Sequence, residues 1–234
     1  HTRAGLCERP AFLNNSKINH TDLNKYWAGQ KDLGLWLSRS SFSMRLLAKL
    51  RIQESEKDTI NIWFPGYFCN ESLEPLKKEK VNIYFYPLLK DGSPDIEACK
   101  KLIDSQNTPD LFIAVHFFGR EINFSESSEF AKSLNAWFIE DAAHVLKRSE
   151  NIGKYSHFIF YSPHKILPIA DGSILVVNKD NFVEDFNDLS QKLIILHQSL
   201  IKEDKKINFH PTIWLIKRIL QKIGFKRKVK NQIE

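Results

Sequence analysis

A chain of 234 residues, 42% hydrophobic and 26% charged, has the composition of an ordinary globular protein and the length of one large domain or two small ones. No apolar run approaches the roughly 20 residues that span a bilayer, and no charged-then-apolar secretory pattern follows His1. Cys7, Cys69 and Cys99 are far apart and form no CxxC pair, so neither a zinc site nor a disulfide framework is indicated and a reducing cytoplasm is the simplest setting.

In chain order, Ser38-Arg-Ser-Ser41-Phe-Ser43 precedes a helical run over Met44–Leu50. Thr59–Phe64 reads as a strand stopped by Pro65-Gly66, and Asn70–Glu79 as a helix that Asn70 is able to cap. Val81–Tyr86 is the next strand, Asp91-Gly92 a turn, and Pro94–Ser105 a helix. Leu111–Phe117 is a nearly continuous apolar strand, Phe124–Leu134 a helix, and Ala136–Ile139 a short strand ending at Glu140-Asp141. His157–Tyr161 and Ser173–Val177 are two more strands. Asn181–Lys202 reads as one long helix, with a charged break at 203–206 and a basic helix from Pro211. Strands apolar on both faces and separated by helices predict an α/β fold, a mainly parallel sheet flanked by helices.

The net charge of +6 owes much to Lys217, Arg218, Lys222, Lys226, Arg227, Lys228 and Lys230, with Ile213, Trp214, Ile216, Leu220 and Ile223 at helical spacing among them. Such a helix is able to lie on an acidic membrane or bind nucleic acid. A core-packing helix with a solvated face is the favoured reading, so nucleic acid is not expected as a partner and peripheral membrane contact is not favoured.

The candidate chemistry lies at the ends of two strands. Asp141 follows one apolar run, and Ser162 and Lys165 follow the next, where ligands of parallel sheets bind. An amine able to condense with an aldehyde and a carboxylate able to face a cationic ring nitrogen are what pyridoxal 5'-phosphate (PLP) chemistry requires. Ser40 and Ser41 would sit at a helix N-terminus, where hydroxyls, free amides and the helix dipole favour a phosphate. Cys69 lies near these residues in sequence and reads as a small buried hydrophobe. His116, inside an apolar strand, reads as a satisfied core histidine.

Ser40-Ser41-Phe-Ser, Phe64-Pro-Gly-Tyr67, Val115-His-Phe-Phe-Gly119, Phe138-Ile-Glu-Asp-Ala-Ala-His144 and Ser162-Pro-His-Lys165-Ile-Leu-Pro-Ile-Ala-Asp-Gly172 together resemble the DegT/DnrJ-type sugar aminotransferases of the fold-type-I PLP superfamily, over roughly residues 33–180. The resemblance implies a PLP-binding α/β large domain over 1–180 and a truncated or shortened helical segment over 181–234. It implies that Lys165 carries the cofactor and then moves the proton, that Asp141 pairs with the pyridine nitrogen, and that His144 lies near the phenolic oxygen. Ser40, Ser41 and Ser162 would contact the phosphate, and Tyr67 or Phe68 would stack on the ring. The implied activity is amino transfer, glutamate the expected donor, to a keto group on a nucleotide-linked sugar, in a homodimer. The alternative is a non-catalytic PLP-fold domain. Phe42 in the phosphate turn and Ser173 in place of a second glycine depart from the family pattern. So does the chain's length, which leads to the expectation that cofactor binding survives better than turnover.

Overall fold

The computed structural model describes residues 23–206, except 105, 170 and 183–185. Its strands are β1 (Leu33–Leu37), β2 (Ile60–Pro65), β3 (Val81–Tyr86), β4 (Leu111–Val115), β5 (Trp137–Ala142), β6 (Phe158–Tyr161) and β7 (Ser173–Val177). Its helices are α1 (Ser40–Ser55), α2 (Asn70–Leu73), α3 (Ile96–Leu102), α4 (Ser125–Ser133) and α5 (Phe186–Lys206). The strands form one sheet in the order β1-β7-β6-β5-β4-β2-β3. Pairings from β3 through β6 are parallel, and β7 alone runs against its neighbours β6 and β1. The mainly parallel sheet flanked by helices is the fold expected from the sequence.

Alternation along the strands fills both faces. Ile62, Phe64, Ile113, Ile139 and Phe160 pack with Leu46, Leu47 and Leu50 of α1 and Leu193 of α5. Trp63, Phe112 and Phe138 pack with Cys99 of α3 and Phe130 of α4. Toward β7 the second face is covered instead by Trp27 and the loop through Val145 and Ile152. The buried Arg45 of α1 is paired on both sides, Nε to Glu79 Oε1 at 2.6 Å and Nη1 to Glu203 Oε2 at 2.9 Å. It thereby ties α5 to the sheet domain, as a buried charge must be paired to be tolerated.

Several boundaries differ from the sequence expectation. β1 was not among the predicted strands: Gly34 weakens its strand character. The glycine is needed, because a Cβ there would lie 2.7 Å from the Asn24 amide nitrogen, whose N–H donates to the Gly34 carbonyl. α1 starts at Ser40 rather than Met44, so Ser40 and Ser41 belong to its first turn. Asn70 begins α2 and does not cap it. The helix lasts four residues before Pro75 converts it to a 3-10 turn over Glu74–Lys78. α3 is shorter than Pro94–Ser105, because the Asp95 carboxylate accepts from the Ala98 N–H and caps it there. β4 stops at Val115, before His116 and Phe117, and β5 extends through Asp141 to Ala142. α5 continues through the charged stretch at 203–206. Cys7 and the basic helix expected from Pro211 lie outside the described residues. Among the described residues, no helix is long and apolar enough to cross a membrane.

Candidate functional site

Four strand ends converge at one edge of the sheet. β2 leads into Tyr67 and Phe68, β4 into His116, β5 into Asp141 and His144, and β6 into Ser162 and Lys165. Asp141 sits opposite Val115 on one side and Phe160 on the other. Parallel pairing therefore fixes its place between the loops. A cavity of about 230 Å³ opens here, and it brings together Ser40, Tyr67, Phe68, Asp141, His144 and Lys165. Ser41 and Ser162 are predicted site residues that do not line it. One residue of helix turns Ser41 about 100° from Ser40, and it is buried. Ser162 is fully buried, and its hydroxyl has no hydrogen-bond partner among the described residues.

Lys165 closes a 3-10 turn over Pro163–Lys165, its N–H donating to the Ser162 carbonyl at 2.9 Å. The His164 ring is turned the other way, with Nδ1 2.8 Å from the Gly172 carbonyl. Lys165 Nζ lies 3.5 Å from His144 Nε2. Burial, and secondarily the Lys165 charge, hold the His144 pKa below its ordinary value. Asp141 is buried, and its Oδ1 accepts from the Ala143 N–H at 2.9 Å. Burial pushes its carboxyl up to about 6, with the Ala143 bond and then Lys165 opposing the shift. Such a shift marks a buried carboxylate without a full complement of partners.

Of the two candidate aromatics, Phe68 packs into the core against Phe64, ring centroids 4.6 Å apart. Tyr67 is 68% exposed and touches Phe117 at 5.7 Å. His116 is the satisfied core histidine expected. Its Nδ1 accepts from the Ile122 N–H at 3.2 Å, and Nε2 meets Glu140 Oε2 at 2.9 Å. It also reaches the cavity, which its apolar strand context gave no means of reading. Phe118 lines the cavity as well and was missed. Its sequence signals are its place in the Val115-His-Phe-Phe-Gly119 segment and the glycine after it, which marks a turn.

Cys69 is a correction: it is exposed and lines the cavity, because β2 ends at Pro65 and leaves it on a connecting loop. Cys99 is the buried thiol, pushed up to about 12 by burial and then by Asp95. A maleimide near neutral pH is expected to modify Cys69 in the native protein and to spare Cys99 until unfolding, since the thiolate is the reactive form. Peptide mapping that finds native labelling at Cys99 would contradict this.

A larger groove, about 790 Å³, lies at the other end of the sheet beside Asp110 and Trp137. Its buried acid is already engaged, by Lys57 at 2.6 Å and the Asn61 N–H at 2.9 Å. Lys57 and Lys132 line it too, but it lacks the uncompensated buried carboxylate of the smaller cavity. Among the described residues no cluster of histidine, cysteine and acidic side chains is arranged to hold a metal.

A sequence model of the DegT/DnrJ/EryC1/StrS aminotransferase family matches residues 87–229, more than half of the chain. No curated protein sequence matches the chain. Among solved structures, it is similar to Helicobacter pylori PseC, an aminotransferase of pseudoaminic acid biosynthesis, at 19% identity and a TM-score of 0.59, over 75% of this chain and 45% of that one. It is similar to E. coli GDP-4-keto-6-deoxy-D-mannose-3-dehydratase with bound hydrated PLP at 18% identity and TM-score 0.56, over 68% and 42%. It is also similar to an aminotransferase from Psychrobacter cryohalolentis at 14% identity and TM-score 0.57, over 74% and 42%. At these identities the likeness is one of fold, and the chain spans less than half the length of each.

Proposed function

The chain belongs to the DegT/DnrJ/EryC1/StrS aminotransferase family, and from that premise we propose that it is a PLP-dependent aminotransferase. It would carry an amino group from an amino acid, with glutamate as donor, to a keto group on a nucleotide-linked sugar. The observation that carries this reading is the meeting of the Lys165 amine and the buried Asp141 carboxylate in one cavity.

The residues fit PLP. Asp141 is a buried acid whose raised pKa calls for a cationic N–H partner, as a protonated pyridine nitrogen would be. Ser162 offers an orphaned buried hydroxyl three residues before Lys165, and a group so buried is expected to have a partner. Ser40 adds a hydroxyl at the N-terminus of a 16-residue helix, where the dipole favours a phosphate. Tyr67, rather than the core-packed Phe68, has a ring free to cover the cofactor. PLP supplies an electron sink for negative charge developing at the substrate carbon.

The chain's own residues would do the rest. Asp141 would hold the ring nitrogen protonated. His144 stands beside the Lys165 amine, and its lowered pKa favours the neutral imidazole there. Lys165 Nζ would act as the base that takes the proton from the substrate carbon and as the acid that delivers it to the cofactor's carbon.

The sheet domain over residues up to 180 would carry the cofactor, followed by a helical segment over 181–234. Exposed Ile166, Leu167 and Ile169 beside the lysine loop support a homodimer, and the cytoplasm is the compartment proposed.

Purified protein mixed with PLP should develop a visible band, and glutamate should bleach it. Borohydride reduction followed by peptide mapping should place the adduct on Lys165. An adduct on another lysine, or a colourless protein, would sink the reading.

A further inference from the structure

Phe118 occupies a backbone conformation that its residue type does not favour. Its φ of 56° and ψ of 23° are left-handed, and Gly119 follows with φ 76°. The Arg120 N–H closes the turn on the Phe117 carbonyl at 3.1 Å. Two successive positive φ values make this the pattern of a type I′ turn, whose first central position normally holds Asn, Asp or Gly. The other two non-glycine residues with positive φ among those described are accounted for by local structure: Glu56 caps α1, and Asn135 follows the end of α4. Phe118 caps no helix.

Packing does not account for it either. The Phe118 side chain is 77% exposed. The turn beneath it is fixed in place, since a Cβ at Gly119 would lie 2.6 Å from the His144 carbonyl oxygen. The chain thus accepts a strained turn, pressed against a residue of the site, in order to hold an aromatic ring in solvent. Strain of this kind, retained without a packing gain, points to function. Phe118 lines the same cavity as Lys165, and so does the exposed Tyr67.

We propose that Phe118 is a specificity-determining residue whose ring stacks on the C–H face of the acceptor's sugar ring. The proposal rests on the aminotransferase reading above. Position selects the sugar over the nucleobase. A ring sharing a cavity of about 230 Å³ with the Lys165 amine meets whatever carries the reacting carbon, and the base lies beyond two phosphates.

The test uses PLP-loaded protein, wild type and the variants Phe118→Asn and Phe118→Tyr. Asn suits the turn and removes the ring; Tyr keeps the ring. UDP-, GDP- and dTDP-glucose, and the three nucleoside diphosphates alone, are titrated by calorimetry. The nucleotide-linked glucose that wild type binds should bind Phe118→Asn about tenfold more weakly, the size of one aromatic contact. Phe118→Tyr should match wild type, the matching diphosphate alone should bind all three proteins equally, and the melting temperature of Phe118→Asn should be unchanged or higher.

Equal binding of the sugar nucleotide by Phe118→Asn would overturn the proposal. An equal loss with the diphosphate alone would do the same, assigning the ring to the nucleotide. So would a lower melting temperature, or a shifted sedimentation coefficient that assigns the ring to a subunit contact. Failure of wild type to bind any of the three sugar nucleotides would also overturn it. The visible band of bound PLP in the same samples reports separately on the underlying function: a band with unchanged sugar binding removes the Phe118 role alone.

Discussion

Replacing Lys165 by alanine will abolish covalent retention of PLP and lower amino transfer by at least about 10³-fold, because nucleophile and proton-moving base are lost together. The fold will be indifferent. Lys165 is exposed and, among the described residues, its side chain makes one long hydrogen bond, to His144 at 3.5 Å, so stability should stay within about 0.5 kcal/mol of wild type. The loss is one of chemistry, and Lys165→Arg separates the contributions. It keeps the positive charge beside His144 and Asp141 but offers no nucleophilic amine, so it should be as inactive as the alanine variant. The two will differ at His144. Its pKa is held low by burial and then by the Lys165 charge. Alanine lifts the second cause and arginine keeps it, so imidazole titration by NMR should move upward in the first variant only. Residual turnover of Lys165→Ala within tenfold of wild type would remove Lys165 from the mechanism.

How much of this was legible in the sequence follows from what kind of signal each residue gives. β2 and β4 to β7 were readable because buried strands of such a sheet are largely apolar runs, and Leu111-Phe-Ile-Ala-Val and Phe158-Ile-Phe-Tyr have few other uses; β3, a partly buried edge strand, was readable from its β-branched and aromatic residues. β1 was not, since Leu33-Gly-Leu-Trp-Leu is short and broken by a glycine whose purpose, making room for Asn24, exists only in three dimensions. Asp141 and Lys165 could be proposed from sequence because chemistry at the ends of parallel strands is a consequence of topology. Which serine faces the cavity depends on where α1 begins, and a shift from Met44 to Ser40 moves both serines into the helix, where one residue of rotation separates Ser40 from Ser41. Cys69 and Phe118 were invisible for another reason. Exposure of the one and the positive φ of the other are set by loops, and loop conformation is decided by contacts far away in sequence, such as that of Gly119 with His144.

Asp141→Asn will raise the stability of the cofactor-free protein at neutral pH and slow amino transfer severely. Both effects come from the same buried carboxyl. Its pKa is raised from 3.8 to about 6, by burial above all. Between those values the folded protein holds a proton that the unfolded chain has released. The folded state then binds more protons, so stability falls as pH rises through this window. The penalty is absent below pH 3.8 and complete above about pH 6. At 1.36 kcal/mol per unit it is on the order of 2–3 kcal/mol. Asparagine retains an oxygen to accept the Ala143 N–H and carries no charge, so the variant should match wild type near the bottom of that window and exceed it at pH 7. Urea titrations across the range read this directly. With PLP bound the ranking reverses in function. The carboxylate now has a cationic N–H to face, and a charge-assisted bond of this type is roughly twice as strong as a neutral one. PLP should remain on the variant through Lys165, while turnover falls by about 10²–10³-fold, the scale of losing one preorganised electrostatic partner. Turnover equal to wild type would contradict the role of Asp141. A variant less stable than wild type at pH 7 would show that its carboxylate is compensated even without the cofactor.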